Sequence, residues 1–287
     1  MTASQILPVQ RLRRYGPDAA PPLRVLATVA ALLFSFAAAA QTQFHIATTT
    51  ETRQLLAADD DWMAAVGSFN RAAIAGRPDG ISRTEFKTAV QAAAIQCPTG
   101  DVQRWRAMLD SVATRYERLH MRLPATVNIA CIDGTVAGGE VYTRGNTMFV
   151  PRAMGARMDE WLFAHELFHI FSRHNPVVPS RLYAQLGFTE VPALQWPEEW
   201  IEARILNPDA PFDRHSIRIE TSSGPYSVMP VLVARRTVLQ PGETFFNVLD
   251  VRLLAVQPSP RRQGQPSAAA AGQATGLVRC EHHRCRT

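Results

Sequence analysis

Trp161-Leu162-Phe163-Ala164-His165-Glu166-Leu167-Phe168-His169-Ile170-Phe171 places two histidines four residues apart inside an apolar run. Residues i and i+4 share one face of a helix, so both imidazoles can reach one metal ion. Glu166 follows the first histidine by about 100° of helix rotation. It therefore stands beside such an ion, placed to handle a water rather than to ligate. Phe163, Leu167, Ile170 and Phe171 fall at i, i+4, i+7 and i+8, on the side away from the histidines. Leu162 and Trp161 widen the apolar surface, so the helix is expected to be apolar nearly all round and buried. Two His and one Glu in a buried helix need a chemical reason to be there.

The flanks bound this helix. Asp159 offers an N-cap and Asn175-Pro176 a stop. Before it the period changes to two. Val127 to Ile132 reads as a strand, and Glu140–Thr143 and Thr147–Val150 read as two more around Gly145-Asn146. After it come a helix at 181–186, a short helix from Pro197 to Leu206, and strands at 216–219, 226–228, 231–234 and 245–256. Upstream, 41–58 is polar and Thr-rich and reads as extended or loosely ordered. A helix opens at Asp59-Asp60-Asp61, with Trp62, Met63, Val66, Phe69 and Ile74 on one stripe. Gly76 to Gly80 breaks it; the alternating oxygens and terminal Glu of a calcium loop are missing there. Ser82-x-x-Glu85 is a capping box for the next helix, and Asp101 can cap a long one ending near Leu119.

The first forty residues read as a signal peptide: a basic lead-in with Arg11, Arg13, Arg14 and Arg24, an apolar run from Val25 to Ala39, and Ala38-x-Ala40 before Gln41. That run is shorter than the ~20 residues a membrane span needs, so no stable span is expected once the leader is removed. The leader holds four Arg and one Asp. This leaves 26 basic against 24 acidic residues, a net +2 compared with +5 for the whole chain. So balanced a charge carries no nucleic-acid footprint. Four cysteines in an exported chain, periplasmic or secreted, permit two disulfides. Local pairing gives Cys97–Cys131 and Cys280–Cys285, though three connectivities remain open. From Gln257 the composition turns to Pro, Gln, Ser, Ala and Gly, which reads as a flexible tail. Cys280-Glu281-His282-His283-Arg284-Cys285 within it reads as a small disulfide loop before it reads as a metal site.

Two neutral imidazoles, a carboxylate and an open position make a catalytic zinc arrangement. A closed structural site would want cysteine ligands at spacings that Cys97 and Cys131 do not have. A small sheet, a buried H-E-x-x-H helix and helices downstream, over roughly residues 125–210, resemble the zincin metallopeptidases. The resemblance implies one catalytic zinc, held by His165 and His169. Glu166 would act as general base on a bound water whose pKa is lowered toward ~7. It also implies an edge strand, here within Glu140–Val150, that pairs with an extended substrate. Metzincins carry a third His six residues after the second, with a Gly between. Here His174 comes five residues on without that Gly, and helix-end capping suits it better. Gluzincins take a Glu from a later helix, about twenty residues on. Glu190, twenty-one past His169, is the first candidate. Glu198, Glu199 and Glu202 compete, and Asp209 follows them. Donors to a tetrahedral oxyanion would come from His215, Tyr183 or Tyr226.

The expectation is therefore an α+β, zincin-like fold: a small mixed sheet packed on the motif helix, a helical N-terminal region and a β-rich C-terminal part. Its parts are the signal peptide (1–40), a helical region (41–123), a metallopeptidase core (124–256) and the tail (257–287). The expected function is zinc-dependent hydrolysis of peptide bonds in peptide or protein substrates. The alternative is a non-catalytic, metal-containing binding protein on the same scaffold. The intact set of His165, Glu166 and His169 argues for the enzyme.

Overall fold

Side chains of the strand that begins at Thr126 alternate between two apolar cores, because successive Cβ atoms point to opposite faces. The computed structural model describes residues 41–257, 272–281 and 284–286, apart from 192, 193, 197, 211–213, 222 and 223. The expected signal peptide lies outside the described residues.

The first sheet is mixed. It contains β1 (Gln43–Ile46), β2 (Ala94–Ile95), β3 (Thr126–Ile132), β4 (Tyr142–Arg144) and β5 (Thr147–Pro151) in the order β1-β3-β5-β4, with β2 also on β3. The pairs β1–β3 and β3–β5 are parallel; β4 runs antiparallel to β5 at the edge, and β2 antiparallel to β3. Helices α1 (Thr49–Ala57), α2 (Asp61–Ala65), α3 (Ser68–Ile74) and α4 (Arg83–Ala92) join one core. There Leu56, Trp62, Phe86 and Val90 meet Ala130, Ile132, Tyr142 and Phe149. The other core contains α5 (Thr99–Arg118) and α6 (Glu160–His174), the motif helix. Trp105, Leu109, Phe163, Leu167, Ile170 and Phe171 pack there on Val127, Ile129, Cys131 and Met148. Full burial of one such side chain contributes about 1.5–3 kcal/mol.

Strands β1 and β2 come from the segment expected to be helical scaffold, so the sheet draws on both sides of the expected boundary at 123/124. Residues 41–58 are more ordered than their polarity suggests. Thr48 and Glu51 form a capping box that starts α1, and β1 adds in parallel to β3. The helix expected through 62–74 is two helices. Val66 is extended and Gly67 caps the second one, whose Phe69 N–H donates to Glu202 Oε2 at 3.3 Å. The five stripe residues are still buried. Cys97 and Cys131 form a disulfide with Cα atoms 5.1 Å apart, tying the approach to α5 onto β3.

Downstream lie α7 (Val177–Gln185), β6 (Phe188–Glu190), β7 (Leu194–Gln195), α8 (Glu198–Ile201), β8 (His215–Thr221), β9 (Gly224–Ala234), α9 (Phe245–Val248), β10 (Leu249–Gln257), β11 (Gly272–Glu281) and β12 (Arg284–Arg286). The second sheet runs β12-β11-β10-β9-β8-β6, with β7 on β11. Residues 245–248, expected as strand, form a helical turn. Thr244 and Asn247 cap each other there, giving the backbone a local alternative to the ladder. The flexible tail expected from 257 is also corrected in part. Residues 272–281 and 284–286 are strands, because β10 offers a ladder to β11 and β11 offers one to β12, which composition does not reveal. Cys280 and Cys285 are opposite each other in that register. The remainder, 258–271, lies outside the described residues. The fold is a mixed α+β one, and among the described residues no helix is long and apolar enough to cross a membrane.

Candidate metal centre

Asp159 accepts from the Leu162 N–H at 2.8 Å, and Asn175 closes the other end of α6. Between these caps the helix is two-sided rather than apolar all round. Phe163, Leu167, Ile170 and Phe171 are buried, whereas Trp161 is 73% exposed. The Trp161 ring stacks on His165, with centroids 5.6 Å apart and an interplanar angle of 26°. Its apolar surface serves the imidazole, not the core, which corrects the expectation of a fully buried helix. His174 Nδ1 lies 2.9 Å from the Ile170 carbonyl, the helix-end role expected for it.

His165 Nε2 and His169 Nε2 face each other at 3.1 Å. Two nitrogens at 2.0–2.1 Å from one tetrahedral metal lie about 3.3 Å apart, so the pair is already at ligating separation. Burial lowers the His169 pKa, which favours the neutral, lone-pair form a metal needs; Asp209 raises it, while His165 and Arg173 lower it further. Glu166 is only 3% exposed, and its Oε2 is buried with no hydrogen-bond partner. Burial, reinforced by Asp209 and opposed by Arg173, pushes its pKa up to about 8. A buried carboxylate oxygen without a donor is costly unless a cation or water meets it. The donor set fits a metal ion.

The third group comes from outside the helix. Atoms of Glu166, His169 and Asp209 all lie within 4.8 Å of one another and can hold a metal ion. Asp209 follows β4 closely: its Oδ1 accepts from Thr143 N–H at 2.6 Å and Thr143 Oγ1 at 2.8 Å. Arg173, one turn beyond His169, donates to the Asp209 carbonyl at 3.1 Å and to Thr143 Oγ1 at 2.7 Å. Its Nε donates to the carbonyl of Gly145 at 3.1 Å, in the β4–β5 turn. Gly145 holds φ +54°, a conformation that favours glycine. The segment Glu140–Val150 does supply an edge strand, but the N–H of Thr143 on it is occupied by Asp209.

Glu190 is not brought into this group. It sits exposed on β6, paired in register with His215 on β8. The reason is local: after Gly187 (φ +87°) the chain becomes a strand instead of the ligand-bearing helix. Tyr183 joins that neighbourhood, its ring 4.8 Å from that of His215. His215 Nε2 is buried without a partner, and burial lowers its pKa, with Glu190 opposing. Tyr226 lies on β9, packed by Val228 and Ala255. Of the competing glutamates, Glu202 caps α3 as described, and Glu198 and Glu199 open α8.

A cavity of about 220 Å³ adjoins the centre. Trp62, Tyr142, Leu206, Phe245 and Phe246 line it, and Asp209 stands on its wall. Asp209 stands last among the third-ligand candidates of the sequence, and Thr143 and Arg173 are not among them. Arg173 had a signal: it lies four residues after His169, on the motif face. The chain matches no family model, no curated protein and no solved structure.

Proposed function

We propose that this chain is an exported zinc metallopeptidase, periplasmic or secreted, acting on peptide or protein substrates. The observation that carries the reading is the pair of imidazole nitrogens at 3.1 Å beside the partnerless Glu166 oxygen. A mixed sheet with an antiparallel edge strand beside the motif helix supports it. The Cys97–Cys131 disulfide fits an oxidising compartment.

His165 and His169 would hold the zinc through Nε2. A bound zinc supplies a Lewis acid that makes water nucleophilic near neutral pH. Glu166 takes the proton released by the attacking water and returns it to the leaving amine. Its buried place beside the two imidazoles sets it next to the water it would deprotonate. Trp161 stacked on His165 restricts the ring plane from the exposed side.

The second reading is a non-catalytic metal-binding protein. It is favoured by the one observation that Glu166 itself stands in the metal-competent trio with His169 and Asp209. As a ligand, Glu166 would not be free to act as a base. Glu166→Gln separates the two. In the enzyme reading the variant keeps its zinc and loses peptide cleavage by about 10²–10⁴-fold. Loss of zinc by the variant, or equal absence of cleavage in both forms, would favour the binding protein.

A further inference from the structure

Asp209 belongs to a loop, yet it is held more firmly than a loop carboxylate needs to be. Oδ1 receives two donors from one residue, Thr143, whose side chain is fully buried. Thr143 Oγ1 is in turn fixed by Arg173. The same guanidinium grips the Asp209 carbonyl and the Gly145 carbonyl. One residue of the motif helix thus ties together the edge strand, the β4–β5 turn and the 207–209 loop. A carboxylate held from behind keeps a fixed direction, and a carboxylate oxygen of Asp209 lies within 4.8 Å of a ligand atom of His169 and of Glu166. Ligating groups are commonly oriented in this way by hydrogen bonds from behind.

We infer that Asp209 is the third metal ligand, completing His165 and His169, and that Thr143 and Arg173 are the positioning residues that present it. The inference rests on the proposed metal centre. It makes the site a His-His-Asp one in place of the His-His-Glu expected through Glu190. It also ties the metal to the edge strand: Thr143 cannot lend its N–H to another strand without releasing Asp209.

The test is zinc affinity, measured by competition with a chromogenic chelator on the full chain. Asp209→Asn should abolish stoichiometric binding, and Glu190→Gln should leave it unchanged. Thr143→Val keeps shape and backbone donor but removes Oγ1, and should weaken zinc binding about 10- to 100-fold. Thr143→Ser should restore most of that loss. A purely structural role for Thr143 would instead lower the thermal stability of the metal-free chain with no change in affinity. Should Thr143→Val not fold, Arg173→Lys, which cannot span the same three acceptors, carries the same expectation. Wild-type affinity in Asp209→Asn, or in both Thr143→Val and Arg173→Lys, overturns the inference and leaves the metal centre standing. A wild-type chain that takes up no zinc overturns the centre itself and this assignment with it.

Discussion

Glu166 concentrates the chemistry of this molecule in one side chain. Its pKa is raised from 4.5 to about 8, so without metal the folded chain holds a proton that the unfolded chain releases. The resulting stability is fully present below pH 4.5 and is lost as the pH rises through 8. At 1.36 kcal/mol per pKa unit the loss reaches up to about 5 kcal/mol. Thermal melts of chelator-treated protein should therefore fall between about pH 5 and 8 in the wild type. Glu166→Gln should flatten that dependence; an unchanged slope in the variant would assign it to other groups. His165, Glu166 and His169 were legible from spacing alone, because i and i+4 fix a common helix face. Asp209 was not, since a loop residue forty positions downstream leaves no periodic trace. Arg173 sits in plain register with the motif, but a lone arginine near a helix end also satisfies the dipole, and spacing does not separate the two roles.

Elements with their own capping chemistry were the most readable. The Asp159 cap, the Asn175 stop and the Ser82–Glu85 box all stand where the residues put them. Removing the Asp159 side chain, by Asp159→Ala, should cost about 1 kcal/mol of stability in a denaturant titration. The Thr48–Glu51 box was equally available and was hidden by the polarity around it. Elements that depend on distant partners were less readable. At the Val66–Gly67 break the Phe69 N–H finds its acceptor in Glu202, more than 130 residues away. Strand β11 exists through its ladder with β10 and β12 through its ladder with β11, and the turn at 245–248 through a cap internal to it. The disulfide was readable as a local pairing. It closes a loop spanning 34 residues, for which chain entropy gives about 4 kcal/mol. The Cys97→Ala/Cys131→Ala double variant should lose roughly 2–4 kcal/mol against denaturant. A loss below about 1 kcal/mol would mean that buried packing, not the cross-link, holds that corner.

The molecule as a whole follows its alternating strand β3, which places one core under helices α1–α4 and the other under α5 and the motif helix. The mixed α+β class was visible in the switch of hydrophobic period near residue 126. Strands β1 and β2, from the part expected at 41–123, join the sheet of the part expected at 124–256. Parallel pairing of β1 with β3 is set by tertiary packing and has no signature in a Thr-rich segment. This arrangement lets an edge strand, a loop and one helix meet at a single group of metal-competent side chains.

Metal content measured by mass spectrometry on the purified chain is the decisive observation. One zinc per chain is expected in the wild type and in Glu166→Gln, and none in His165→Ala/His169→Ala. A wild-type chain without stoichiometric metal, or a double variant that retains it, would contradict the metal centre on which the proposed activity depends.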